Sequence, residues 1–139
     1  MKLNITDNEK KFISGCVNLD INNYDDKFFD EVPQSSCELL IISECLGNLS
    51  YGESVSTIEE SMKRVAKGGR ISLSLLDFES VAISLLNGSM NSESISSIVK
   101  SHKSVLSVYE LKQTLVNNRI NITEFERKNN LLLINGMKV

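Results

Sequence analysis

The stretch from Cys37 to Phe78, CELLIISECLGNLSYGESVSTIEESMKRVAKGGRISLSLLDF, constrains the fold more than any other part of the chain. It reads strand, loop, helix, strand. The apolar run Leu39, Leu40, Ile41 and Ile42 stops at Ser43 and Glu44, as a buried parallel strand does on reaching the edge of a sheet. Ser56 and Glu59 have capping-box spacing, and Val55, Ile58, Met62 and Val65 recur at helical intervals. Lys63, Arg64 and Lys67 suit the negative end of a helix, and Gly68 with Gly69 provides a left-handed stop. Ile71, Leu73 and Leu75 then alternate with Arg70, Ser72 and Ser74, the spacing of a strand ending at Asp77. A right-handed crossover makes the two strands parallel near neighbours.

The remaining elements attach to this unit in alternating order. Lys2 to Ile5 opens a short strand and Cys16 to Ile21 reads as a second, with Thr6 to Gly15 between them leaving room for only about one helical turn. Asn22 to Ser36 holds the only proline, Pro33, and reads as an irregular link anchored by Phe28, Phe29 and Val32. Val81, Ala82, Leu85 and Leu86 mark a helix stopping at Asn87-Gly88. Ile95, Ile98 and Val99 mark a second within a serine-rich stretch. Ser107 and Glu110 form another capping-box pattern, before a helix with Val108, Leu111, Leu115 and Val116 inward and Asn117-Asn118 at its end. Ile120 to Glu126 and Leu131 to Met137, around Lys128-Asn129-Asn130, close the chain as an antiparallel hairpin. The expectation is a single α/β domain over residues 1–139, its mainly parallel sheet carrying helices on its faces.

Bulk properties narrow the partners. With 15 Lys+Arg against 18 Asp+Glu, the net charge is −3 and no basic stripe exists, so neither nucleic acid nor an anionic membrane is expected as a partner. Cys16, Cys37 and Cys45 are odd in number and lack CxxC spacing, which reads as buried thiols in a reducing compartment. The first residues, MKLNITDNEKK, carry no apolar leader, and the expected location is cytoplasmic. Four Asn-X-Ser/Thr sequons, at Asn4, Asn48, Asn87 and Asn121, carry no weight in an Asn- and Ser-rich chain without a secretory signal.

Five short motifs, taken in order, resemble the class I S-adenosylmethionine-dependent methyltransferases, specifically the short type found beside sugar and cell-surface biosynthesis enzymes. They are Leu3-Asn4-Ile5; Gly15-Cys-Val-Asn18-Leu-Asp20-Ile21; Ser43-Glu-Cys-Leu46-Gly-Asn48-Leu-Ser50; Arg64-Val-Ala-Lys67-Gly68-Gly69-Arg70; and Leu76-Asp77-Phe78. The resemblance implies a Rossmann-like, doubly wound sheet with the ligand beyond the carboxyl ends of its strands. It implies S-adenosylmethionine as cofactor, with Asp20 accepting from the ribose hydroxyls and the loop Asn4 to Asn8, including Thr6, at the methionine end. Ile21 and Ser43 would complete that site. A carboxylate suits a vicinal diol because its two oxygens match two donors. The chain departs from the family where the first loop reads Ile5-Thr6-Asp7-Asn8 instead of carrying glycines: the Cβ of Thr6 obstructs close approach, while Asn8 tolerates a left-handed backbone. Glu44, Gly47 and Asn48 also replace the family's His and Glu-His positions.

The remaining candidates each have a plain structural alternative. Asp20 is a ribose ligand or a turn residue. Glu44 and Asp77, at neighbouring strand ends, form a carboxylate pair able to serve as a general base, or each caps the segment that follows. His102, the only histidine, excludes a multi-histidine metal centre and lies either over the substrate or in solvent. Cys37 or Cys45 with His102 is a disfavoured nucleophilic dyad in so apolar a setting. Two functions stay open: methyl transfer to a small-molecule acceptor such as a sugar or glycan precursor, and a pseudoenzyme, inactive but retained as a binding or homo-oligomerisation module. Nicotinamide chemistry falls behind both for want of GxGxxG after the first strand.

Overall fold

The computed structural model describes residues Met1–Val139. Six strands form one sheet: β1 (Lys2–Thr6), β2 (Val17–Asp20), β3 (Cys37–Ser43), β4 (Val65–Leu76), β5 (Ile120–Lys128) and β6 (Leu131–Lys138), in the order β2-β1-β3-β4-β6-β5. The first four are parallel, and β6 is antiparallel to both β4 and β5. Four helices follow the expected order: α1 (Tyr51–Arg64), α2 (Phe78–Leu86), α3 (Ser92–Ser101) and α4 (Val108–Asn117). No helix is long and apolar enough to cross a membrane.

The expectation of helices on the faces of the sheet is met on one face only. Leu3, Ile5, Leu40, Ile42, Ile71, Leu73, Leu132 and Ile134 all project to one side and join Ile58 and Met62 of α1 and Leu111 and Leu115 of α4 in a single core. Phe28, Phe29 and Val32 of the irregular link fill the same layer, where Arg64 lies over the Phe29 ring. Chain direction explains the asymmetry. From β2 onward the crossovers advance across the sheet in one direction, and right-handed connections that advance the same way lie on the same face. Only β1 to β2 runs the other way, and residues 7–16 give it no more than a 3₁₀ turn, Glu9–Lys11. Two sheet-face amides hold that strap down. Asn4 Nδ2 donates to the Lys11 carbonyl (3.1 Å) and to Asn18 Oδ1 (2.8 Å), while Asn18 exchanges hydrogen bonds with the backbone of Ile13.

Helix α1 begins six residues earlier than the Ser56–Glu59 pattern suggests. Ser50 is the N-cap, and Glu53 returns the bond in a complete capping box. Two patterns of the same type stand in tandem, and the earlier one brings the fully buried Ser54 into the helix. The Gly68-Gly69 pair does not stop this helix. The chain passes from Arg64 directly into β4, and the glycines form a bulge where pairing with β3 jumps from Cys37–Val65 to Leu39–Arg70. Gly68 has φ +81°, and a β-carbon on Gly69 would stand 2.8 Å from the carbonyl oxygens of Ala66 and Cys37. The hairpin turn Asn129-Asn130 has both residues left-handed (φ 52° and 62°), as a two-residue type I′ turn requires.

Helices α2 and α3 rise above the carboxyl ends of the strands. Of the four apolar residues that mark α2, only Val81 is buried, and Leu86 is 86% exposed. The periodicity identifies the helix, but this insert has no core to pack on.

Candidate functional site

The strand ends meet over β1. The 3₁₀ turns that follow β2 and β3, Ile21–Asn23 and Leu46–Asn48, approach each other there, because β1 lies between the two strands. Asn22 Nδ2 donates to the Asp7 carbonyl (2.9 Å), and Asn48 Nδ2 makes a long hydrogen bond to Asp7 Oδ2 (3.4 Å). Lys11 completes the cluster at Asp7 Oδ1 (3.1 Å). The crevice is therefore laced together through Asp7, a residue that sequence reasoning passed over. Its position directly after the first strand was the available signal.

The residues expected at the methionine end are spread over three settings. Asn4 and Thr6 are buried, and the half-buried Asp7 follows them at the end of the strand. Asn8 is extended (φ −150°), not left-handed, and caps the 3₁₀ turn by accepting from the Lys10 amide. Ile21 is buried in the core, and Ser43 projects half-buried from the opposite face of the sheet.

Asp20 ends β2 half-buried, and its Oδ1 accepts from the Asn22 amide (2.9 Å), while Oδ2 has no protein partner. Beside it in register, the Thr6 hydroxyl is buried without a hydrogen-bond partner. An orphaned hydroxyl and a half-used carboxylate at adjacent strand ends fit a ligand bearing hydroxyl groups.

A cleft of about 280 Å³ opens beside this crevice, with Asp7, Glu44, Gly47, Asn48, His102 and Leu106 among its lining residues. Glu44 has a left-handed backbone (φ 37°), held by its amide donating to the Ser74 carbonyl (2.7 Å). His102 follows α3 and lies against Gly47, where a β-carbon would collide with the imidazole Cδ2. The adjoining Lys103 amide donates to the Gly47 carbonyl (2.7 Å). His102 Nδ1 stands 2.8 Å from the Ile98 carbonyl oxygen and 2.9 Å from Ser101 Oγ; the carbonyl only accepts, so in the neutral ring Nδ1 carries the proton and Nε2 is the basic nitrogen.

The structure thus brings Glu44 and His102 to one cleft and leaves Asp77 out. Asp77 is 1% exposed, caps α2 and pairs with Arg127 (3.0 Å). The Glu44–Asp77 carboxylate pair does not form, because the arginine at the far end of β5 claims the second carboxylate. Sequence spacing could not show that pairing across fifty residues. The cysteine dyad does not form either: Cys37 and Cys45 are buried outside the cleft, and burial pushes the Cys45 thiol up to about 12.

No family model matches the sequence, and no curated protein matches it. Solved structures do share the fold. An S-adenosylmethionine-dependent methyltransferase from Mesorhizobium loti superposes with a TM-score of 0.61 at 11% identity, covering 99% of this chain and 90% of that one. An O-methyltransferase family protein from Burkholderia thailandensis gives a TM-score of 0.58 at 10% identity, over 88% of this chain and 36% of that one. The magnesium protoporphyrin IX methyltransferase from Synechocystis, with S-adenosylhomocysteine bound, gives 0.50 at 10% identity, over 77% and 47%. This chain therefore spans less than half the length of the last two proteins. The fold is the Rossmann-like class I methyltransferase fold, with the antiparallel hairpin at its C-terminal end.

Proposed function

We propose that this domain binds S-adenosylmethionine at the carboxyl ends of β1, β2 and β3 and presents the adjoining cleft to a small-molecule acceptor bearing a hydroxyl or amine, such as a sugar or glycan precursor. The observation that carries the reading is the free Oδ2 of Asp20 beside the orphaned Thr6 hydroxyl, at the switch point of a fold whose solved neighbours include S-adenosylmethionine-dependent methyltransferases. Asp20 would hold the ribose diol, and the Asp7 loop would face the methionine end after Asn48 releases it. The cofactor supplies a methyl group already activated by its sulfonium. The chain's own task is to align an acceptor and remove its proton. With Nδ1 held at the Ile98 carbonyl, His102 Nε2 is the ring nitrogen left to take a proton, and Glu44 and Asp7 are the carboxylates lining the same cleft.

Calorimetric titration of S-adenosylhomocysteine tests this reading. Binding is expected, and Asp20→Ala should weaken it at least roughly tenfold, the loss of one charge-assisted hydrogen-bonding group. No binding at millimolar ligand would reject it.

Gly47→Ala gives a separate test of the acceptor side. The new β-carbon displaces the imidazole from the cleft wall while leaving Asp20 untouched. Cofactor affinity should hold within a factor of about two, while methyl transfer falls by roughly a hundredfold, the usual contribution of a positioned general base. Equal loss of both would show that the loop, and not His102, is at fault.

A second reading rests on the Asp7 lacing. If the hydrogen bonds from Asn48 and Asn22 keep the crevice closed, the domain is an inactive scaffold that serves by binding or assembly, and the same titration is silent. The expected absence of nucleic-acid and membrane partners and the cytoplasmic location belong to either reading.

A further inference from the structure

Helices α2 and α3 enclose a second hollow beside the cleft, and its lining differs in kind. It measures about 210 Å³ and is walled by Leu76 at the end of β4, Phe78 at the start of α2, Ile98 and Val99 on α3, and Val105 on the return to α4. None of these apolar side chains is fully buried, although all of them line one space. Phe78, Val99 and Val105 stay 38%, 55% and 40% exposed, because the insert that carries them has no side chain of its own to fill the hollow.

The cleft and the hollow share a wall. Leu76, His102, Ser104 and Val105 line both, so the imidazole stands at their junction. Chemistry divides across that wall. The cleft side holds the carboxylates of Asp7 and Glu44 and the amide of Asn48. On the side of the hollow no carboxylate is present, and apart from the imidazole the only ionisable group is Lys103.

We propose, resting on the methyl-transfer reading above, that this hollow takes an aromatic ring of the acceptor, whose hydroxyl or amine reaches His102 from the cleft side. The acceptor is then an aryl-bearing compound, such as an aryl glycoside.

Size, wall chemistry and charge each select a ring. A dry apolar cavity of about 150 Å³ admits benzene. The hollow, at about 210 Å³, therefore admits a ring with one substituent leading out of it. Two of its walls, Phe78 and His102, are themselves rings, and aromatic groups favour one another in edge-on or offset contact. Lys103 adds an exposed cation, which the face of an aromatic ring attracts and an alkyl chain does not. The Lys103 amide donates to the Gly47 carbonyl (2.7 Å), which fixes this lysine beside His102. A sugar in the same place would bury its hydroxyls against a lining whose only hydroxyl, on Ser104, is already bonded to Ser54 (3.0 Å).

Nuclear magnetic resonance of the full chain tests the proposal through one reporter. His102 is the only histidine, so its imidazole proton signals identify themselves. Phenyl β-glucoside, hexyl β-glucoside and methyl β-glucoside are titrated separately, with and without S-adenosylhomocysteine. The phenyl compound is expected to bind, and its ring current should displace the imidazole signals. Hexyl β-glucoside, apolar but without a ring, should bind several-fold more weakly, and methyl β-glucoside at least roughly tenfold more weakly.

Val99→Phe fills the hollow without adding charge and should weaken phenyl β-glucoside at least roughly tenfold. Lys103→Gln, at an exposed position that does not endanger the fold, should weaken it several-fold. Both variants should keep the parent affinity for S-adenosylhomocysteine within a factor of about two. Val116→Phe, exposed on α4 and outside both cavities, should change nothing.

Hexyl or methyl β-glucoside binding as tightly as the phenyl compound overturns the assignment, and so does phenyl binding that neither Val99→Phe nor Lys103→Gln weakens. A chain that binds S-adenosylhomocysteine but not phenyl β-glucoside also overturns it and leaves methyl transfer standing. Failure of the underlying reading has a different signature: phenyl β-glucoside shifts the imidazole signals while S-adenosylhomocysteine does not bind, which upholds the hollow as an aromatic site and removes methyl transfer from it.

Discussion

Cutting Ile42 back to alanine is expected to destabilise the domain by about 3 kcal/mol, while the same cut at Ile41 costs about 1 kcal/mol or less. The two residues are chain neighbours on β3, with the same side chain and nearly the same backbone hydrogen bonding. They differ in the face they occupy. Ile42 is fully buried among Ile5, Leu73 and the helices, and its loss leaves a cavity that the sheet cannot collapse to fill. Ile41 stands between Asn4 and Ser72 on the open face, half-buried by its neighbours alone. Urea unfolding reads the difference directly. Equal losses would mean that something covers both faces.

That contrast also marks where the sequence was informative. The alternation of Ile71, Leu73 and Leu75 with serines, and the apolar run of β3, place the strands correctly because side-chain period is a local property of extended backbone. The short β1–β2 connection was visible as well, in the length of the stretch from Thr6 to Gly15. Its consequence was less visible. A missing crossover helix leaves a whole face open, and only the combination of strand order with crossover handedness shows this. The Gly68-Gly69 pair illustrates the same limit. Glycine after cationic residues is a good helix-stop pattern, yet the same two glycines serve a strand bulge, and the choice depends on where β3 lies.

The site was legible in part, for a related reason. Asp20 and Glu44 could be placed at strand ends, since a polar residue terminating an apolar run is a one-dimensional signal. What each side chain binds is not. The Asp20 oxygens divide between the Asn22 amide and open space, and Asp7 gathers partners from residues 11, 22 and 48. His102 could be named only as the sole histidine. Its place against Gly47 depends on the return of the insert from α3, a long-range event that no spacing encodes.

Asp77→Ala is expected to lower stability by about 2–3 kcal/mol, a larger penalty than an ordinary helix cap carries. The carboxylate is buried and used on every side. It accepts from the Ser80 amide and hydroxyl at the start of α2, and both of its oxygens lie within 3.0 and 3.1 Å of Arg127 Nη1. Its own amide donates to the Asn130 carbonyl (2.8 Å), which ties the start of α2 to the turn of the last hairpin. Loss of the cap accounts for about 1 kcal/mol, and loss of the charge-assisted bonds to the arginine for roughly the remainder. Asp77→Asn keeps an acceptor for the Ser80 amide and should recover close to half of the loss. Thermal unfolding measures both variants. The functional side of the prediction is an expected absence of effect. At a temperature where Asp77→Ala remains folded, binding of S-adenosylhomocysteine should match the parent chain, because this carboxylate faces Arg127 and not the cleft. Binding lost in the folded variant would restore Asp77 to the site and put the general-base pair with Glu44 back in place of His102.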